Sequence, residues 1–204
     1  MMDILKEYNV SRETILSLEK FQNMVLEWNN CFNLISKSSA ENIWERHILD
    51  SLQLCAFISK KNRILYDLGS GAGFPAIVLA IVGKQLFPEL KISLIESISK
   101  KVKFLNEVKK ELELNVNIIH DRIENLKLPQ ADIITSRALA SLEKLLNYTE
   151  PFCKKQTTLI FPKGEKWQEE VREAEEKWLF NIDTYQSKTN ENSRILKINN
   201  VRRK

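Results

Sequence analysis

The chain has 204 residues and a net charge of +4, a length that fits one globular domain with a small appendage. Apolar residues make up 43% and charged residues 28%, an ordinary composition in which burial of roughly 70% of the unfolded surface sustains a core without staples. No run of about 18 apolar residues exists, and Cys31, Cys55 and Cys153 form neither a C-x-x-C pair nor a cluster with the two histidines, so a membrane span, a disulfide framework and a metal site are not expected. The start, Met1 to Glu7, is too polar for a secretory signal, which points to a cytoplasmic protein. The mild basic excess permits nucleic-acid binding without requiring it.

Residues 11–58 read as helical. Ile15, Leu18, Phe21, Val25 and Trp28 recur at helical spacing, as do Ile43, His47, Asp50 or Ser51, and Leu54. Ser11 and Ser39 are the expected N-caps. From residue 63 strands and helices alternate. Strands are expected at 63–68, 91–96, 116–120, 131–136 and 157–162, with two more near 180–185 and 194–199. Helices are expected at 77–82, at 99–112 with Ser99 as cap, at 139–148 and at 165–177. This alternation predicts an α/β fold, a doubly wound and mainly parallel seven-stranded sheet, with residues 1–60 as a helical region packed on a 61–204 core. Ligands of such sheets bind beyond the carboxyl ends of the strands.

Three of the five glycines fall within Gly69-Ser70-Gly71-Ala72-Gly73, between a strand and a helix. Glycines there allow a tight turn and close approach of a ligand to the backbone. The spacing is G-x-G-x-G, and position 74 is Phe74, so the dinucleotide fingerprint is not met; no phosphate-binding G-x-x-x-x-G-K-[ST] pattern is present either. Glu96 ends the next strand, 27 residues after Gly69, where a carboxylate accepts hydrogen bonds from both ribose hydroxyls of an adenosine ligand. After the third strand, Ile123 is placed to pack on an adenine face and Glu124 to meet its edge; the plainer reading is an acidic first turn of a helix.

Asp67-Leu68-Gly69-Ser70-Gly71-Ala72-Gly73-Phe74-Pro75 resembles the S-adenosylmethionine loop of class I methyltransferases. With Trp28-Asn29, Asn33-Leu34, the run Arg46 to Leu52, Lys100 to Leu105, Ser136-Arg137-Ala138 and Phe161-Pro162-Lys163-Gly164, the ordered set resembles the glucose-inhibited division protein B family from about residue 15 onwards. Relatives commonly carry proline at Ala72, glycine at Ala76 and Asp at Glu96; no functional side chain is lost. The resemblance implies S-adenosylmethionine as cofactor and N7-methylation of a guanine in small-subunit (16S) ribosomal RNA, met as RNA or within the 30S subunit. It also implies that Gly69, Phe74, Ile123, Glu124 and Arg137 contact the cofactor, beside Gly71, Gly73 and Glu96 of the loop-and-strand reading. Arg137 has a plainer reading as a structural ion pair.

The catalytic inventory is sparse. No Pro-Cys pair for cytosine C5 and no N-P-P-[YF] segment for exocyclic amines follows a strand. Guanine N7 carries an exposed lone pair and no proton, so positioning supplies most of the acceleration and no acid or base is required. His47 is the one tempting exception; its neighbours Arg46 and Asp50 favour a role in joining the helical region to the core. Lys100, Lys101, Lys163 and the basic tail Arg202-Arg203 are candidate phosphate contacts. Other readings are methylation of a different RNA, a protein or a small molecule, a nicotinamide oxidoreductase disfavoured by the glycine spacing, and a non-catalytic module in ribosome assembly. A monomer is expected.

Overall fold

The computed structural model describes residues 7–8 and 10–204; the polar start at Met1 to Lys6 lies outside them. The first long helix, α1 (Arg12–Asn29), is capped by Ser11, whose side chain accepts from Thr14 N at 3.2 Å. Its stripe of Leu18, Phe21 and Val25 is fully buried. A single helical turn, Lys37–Ala40, follows. Its cap is Ser36, whose Oγ receives the N–H of Ser39; Ser39, expected to cap the second helix, lies inside this turn, and that helix starts after Ile43 with no side-chain cap. The second helical stretch is irregular: a π turn at Trp44–Leu49, one α turn at Asp50–Leu52 and a 3₁₀ end at Gln53–Phe57.

Five strands and the helices between them then build the sheet. The elements are β1 (Ile64–Leu68), α2 (Ala76–Leu86), β2 (Lys91–Glu96), α3 (Ser99–Glu111), β3 (Val116–His120), β4 (Ala131–Thr135), α4 (Leu142–Thr149), β5 (Cys153–Lys163) and α5 (Trp167–Lys177). The hairpin β6 (Trp178–Gln186) and β7 (Arg194–Arg203) closes the chain. Strand order is β3-β2-β1-β4-β5-β7-β6, with β1 to β5 parallel and β7 antiparallel to β5 and β6. The order reverses beside β1, between β2 and β4, which opens a crevice at their carboxyl ends.

Of the boundaries that differ from the pattern-based reading, three concern residues singled out there. Ile98, not Ser99, is the N-cap of α3, and Ser99 is its first residue. The helix expected from 139 starts at Leu142, because Ser136 to Ser141 forms a loop in which Ala138 has φ +54°. β7 runs to Arg203, so Arg202 and Arg203 are strand residues and not a free tail.

Side chains alternate across the sheet, as the two-residue strand period demands. Leu65, Ile133, Ile160 and Ile195 join the cluster under α1, α2 and α3, while Tyr66, Ile134, Leu159 and Leu196 join the cluster under α4 and α5. Helix α2 is buried from Ala76 to Gly83, as expected of a helix with packing on all sides. Phe21 of α1 packs against Phe74 with ring centroids 5.0 Å apart, and Trp28 against Phe104 at 5.4 Å, both pairs tilted. Phe21 and Phe104 are fully buried, and each contributes roughly 1.5–3 kcal/mol. Among the described residues no helix is long and apolar enough to cross a membrane.

Candidate cofactor cradle and adjoining cleft

The loop between β1 and α2 turns on Gly69 (φ +70°), Gly71 (φ +56°) and Gly73 (φ +90°). Close approach adds to the backbone demand. A Cβ on Gly73 would sit 2.6 Å from Ile77 Cγ1, and one on Gly69 would sit 2.7 Å from Leu139 Cδ1. Gly69 N and Ser70 N donate to Ile95 O of β2 at 2.9 and 3.1 Å, tying the loop to the neighbouring strand. Glu96 completes the tie: Oε2 accepts from Gly71 N at 2.9 Å and Oε1 from Ile98 N at 2.8 Å. Its carboxylate is 5% exposed, yet two oxygens offer about four lone-pair positions, so both retain acceptor capacity.

Asp67 lies beneath this loop. Its Oδ1 accepts from Thr135 Oγ1 at 2.8 Å, whereas Oδ2 is buried and has no partner. Burial pushes its pKa up to about 6, against the opposing pull of the Thr135 hydrogen bond and the Arg137 charge.

A cavity of about 350 Å³ opens over the loop, walled by Gly69, Glu96, Ile98, Lys101, Ile123, Glu124, Leu139 and Tyr148 among others. That volume lies within the range of small-molecule sites. Apolar faces from Ile98, Ile123 and Leu139 beside a buried carboxylate and glycine backbone suit an adenosine-bearing ligand. A second cleft of about 750 Å³ shares the Ala138–Leu139 wall and continues past Arg137, Lys163, Glu169 and Glu173. The Ala138–Leu139 wall is thus common to the two recesses.

Behind the wall Arg137 is clamped. Its guanidinium donates to His47 Nδ1 at 2.5 Å, Arg46 O at 3.1 Å and Asp50 Oδ2 at 3.2 Å, and lies 5.3 Å from the Phe74 ring centroid. His47 stacks on Phe74 at 4.7 Å. Burial, aided by the charges of Arg137 and Arg46, pushes the His47 pKa down to about 3. A guanidinium only donates, so Nδ1 is the acceptor and the neutral ring carries its hydrogen on Nε2. That Nε2 is buried with no partner. Among the described residues no His/Cys/Asp/Glu group could hold a metal ion.

The family model for rRNA small subunit methyltransferase G matches residues 14–196. The chain belongs to that family. The rRNA small subunit methyltransferase G of Orientia tsutsugamushi (strain Ikeda) is 43% identical over 94% of this chain and 93% of its own length. That of Bartonella bacilliformis is 44% identical over 95% of this chain and 90% of its own. Among solved structures, a Bacillus cereus O-methyltransferase in complex with SAH aligns with a TM-score of 0.57 at 14% identity, covering 88% of this chain and 90% of that one. This last likeness is one of fold. Membership in the rRNA small subunit methyltransferase G family makes the chain an S-adenosylmethionine-dependent methyltransferase.

Against this frame, Gly69, Glu96, Ile123 and Glu124 converge on the cradle, with Gly71 and Gly73 in its floor loop. Phe74 does not line the cavity; it is 4% exposed and packs between Phe21 and His47. Arg137 lines the adjoining cleft, with its donors directed to the 46–50 segment. Lys101 lines the cradle, and Lys100 lies over the Phe32 ring at 5.0 Å. Lys163 is not a free cation: it donates to Glu170 at 2.6 Å and to Ala140 O at 2.7 Å. Arg202 and Arg203 sit at the end of β7 remote from the cradle, because β7 runs antiparallel from Arg194, opposite Lys163, back towards the start of β5. Arg203 is further held by Glu150 at 3.0 Å. Leu139, Tyr148 and Ile98 were not singled out by sequence. Leu139 follows a strand end, a signal that could have flagged it; Tyr148 reaches the cavity only through the orientation of α4.

Proposed function

We propose that the chain transfers the methyl group of S-adenosylmethionine to N7 of a guanine in small-subunit (16S) ribosomal RNA, acting in the cytoplasm as a monomer. The observation that carries this reading is the cradle at the sheet reversal, where the glycine loop and Glu96 face a cleft across one shared wall. The bound cofactor supplies an electrophilic methyl on a sulfonium. Glu96 offers its remaining lone pairs to the ribose hydroxyls, and Ile98 and Ile123 offer faces to the adenine. The Ala138–Leu139 wall sets the line along which the target base approaches. Guanine N7 attacks with a lone pair it already holds and loses no proton, so the chain needs no general base. His47 fits that scheme: neutral and tied to Arg137, it positions the wall and does not exchange protons near neutral pH. Lys101, which lines the cradle, and its neighbour Lys100, over the Phe32 ring, are the phosphate contacts of this reading, and their contribution falls with salt.

The test is transfer of labelled methyl to small ribosomal subunits that lack the modification, followed by nucleoside analysis. Label in 7-methylguanosine is expected. Label in another nucleoside, or none in subunits and free RNA while the cofactor binds, would overturn the assignment.

A further inference from the structure

Arg202, remote from the cradle, lines a recess of about 720 Å³ formed by the start of β5, the start of β6 and the end of β7. Lys163, at the other end of β5, borders the cleft beyond the Ala138–Leu139 wall. The strand between Lys155 and Lys163 spans about 26 Å. The charges of the recess do not cancel. Lys154 is paired with Asp132, and the one carboxylate in the lining among the described residues, Glu150, is held by Arg203 at 3.0 Å. Lys155 and Arg202 are exposed and make no ion pair or side-chain hydrogen bond among the described residues. Asn181 and Asn200 add side-chain amides that are likewise without a partner there. Leu179, 41% exposed, gives the lining an apolar surface. Two uncommitted cations, two amides and an apolar rim thus share one concave surface, and none of them takes part in the reaction proposed above.

We infer that this recess docks the phosphate backbone of a second segment of the small-subunit ribosomal RNA, one that does not enter the cleft. The inference rests on the RNA reading above and supplies what that reading leaves open, how the enzyme is oriented on a large substrate. A duplex strand carries a phosphate roughly every 3.4 Å along its axis, so about 26 Å corresponds to about seven or eight phosphates. The segment in the recess is therefore distinct from the nucleotides beside the target. Lys155 and Arg202 supply the charge that phosphate oxygens require, the two amides supply further donors, and Leu179 offers a face to the sugar. Contacts of this kind set register and orientation and carry no sequence information. The recess accordingly acts on substrate binding and not on the cofactor.

The experiment uses the full chain and small subunits that lack the modification. Methylation of the subunit by the parent enzyme tests the RNA reading first; no transfer would overturn that reading and the docking surface with it. Given transfer, subunit binding is measured across a salt series. Lys155→Met combined with Arg202→Met is expected to lower the salt slope of binding by about 2, so that its Kd penalty is about tenfold larger at about 50 mM than at about 200 mM salt. The cofactor Kd, by calorimetry, is expected to stay at the parent value. Hydroxyl-radical footprinting of the bound subunit, at saturating enzyme, is expected to show an RNA segment away from the target that the parent protects and the variant does not. Lys155→Arg combined with Arg202→Lys keeps both charges and is expected to keep the slope. An unchanged slope in the methionine pair would overturn the inference. So would a lowered slope with the RNA footprint intact, which would put a ribosomal protein in the recess. A slope lowered equally in the charge-keeping pair would trace the effect to the folding of the hairpin and overturn it as well.

Discussion

Replacing Gly73 with alanine tests the glycine loop at its most constrained point. Gly73 has φ +90°, and a Cβ there would stand 2.6 Å from Ile77 Cγ1 and 3.2 Å from Leu105 Cδ2. The left-handed backbone costs an L-residue roughly 1–2 kcal/mol. Forcing a methyl into a filled space costs about 1–3 kcal/mol more, since Ile77 is branched and fully buried and has no room to turn. The lower entropy of the unfolded alanine chain returns about 0.4–1 kcal/mol. The net expectation is a loss of about 2–4 kcal/mol, or about 4–16 °C in Tm for a chain of this size. Gly83 supplies the control. It lies inside α2, has ordinary helical geometry, and an added Cβ meets nothing within 4 Å, so Gly83→Ala should gain about 0.5–1 kcal/mol. Urea unfolding of parent and both variants gives the comparison, with cofactor titration alongside. A Gly73→Ala protein within 1 kcal/mol of the parent, or two variants destabilised alike, would refute the steric reasoning.

Glu96→Gln should weaken S-adenosylmethionine about 10–100-fold by calorimetry, since hydrogen bonds to a charged group are worth about 1.5–3 kcal/mol and an amide would also set its NH₂ against Gly71 N or Ile98 N; affinity within twofold of the parent would remove the carboxylate from the ribose role. His47 and Asp67 act on acid stability with opposite signs. The folded pKa of His47 is about 3 against an ordinary 6.5, so the unfolded chain takes up a proton that the folded one refuses, and stability falls as pH drops below 6.5. The folded pKa of Asp67 is about 6 against 3.8, so the folded chain protonates first, and stability rises as pH drops from 6 towards 3.8. Each slope is at most about 1.4 kcal/mol per pH unit. Asp67→Asn should therefore steepen the acid loss between pH 6 and 4, and His47→Gln should flatten it; urea midpoints that run parallel for all three proteins would contradict both assignments. Lys100→Met with Lys101→Met should lower the salt slope of subunit binding by about 2, and an unchanged slope would place the phosphate contacts elsewhere.

The features legible in the sequence are those whose chemistry is local. The glycine loop needs its glycines within five residues of one another, and Glu96 needs only to end the next strand, so both could be read before any fold was known. Alternating strand and helix patterns likewise fixed the layer order, because side-chain periods of two and 3.6 are local properties. What escaped was pairing at long range. Arg137 meets His47 across 90 residues and Asp50 across 87, and no local pattern announces which carboxylate a buried guanidinium will find. Lys163 carries the same charge whether it faces solvent or Glu170, and only the packing of α5 on the loop after β4 decides between them. For Arg202 and Arg203 the deciding fact is direction: an antiparallel β7 carries its last residues away from the cradle, where a parallel strand would have brought them to it.

The same long-range pairings alter how the helical region before residue 60 is understood. Its sequence pattern differs from that of the core, yet Leu18, Phe21 and Val25 share one hydrophobic cluster with Phe74, Ile77 and Leu105. Phe21 packs against Phe74, Phe74 stacks on His47, and His47 holds Arg137 beside the wall between cradle and cleft. Packed interiors respond to a change of shape as units rather than by local yielding. A change in the first helix therefore reaches the glycine loop after β1 and the loop after β4 together. The boundary near residue 60 marks a change of pattern along the chain and not a break in the core, and the helical region is part of the site's framework.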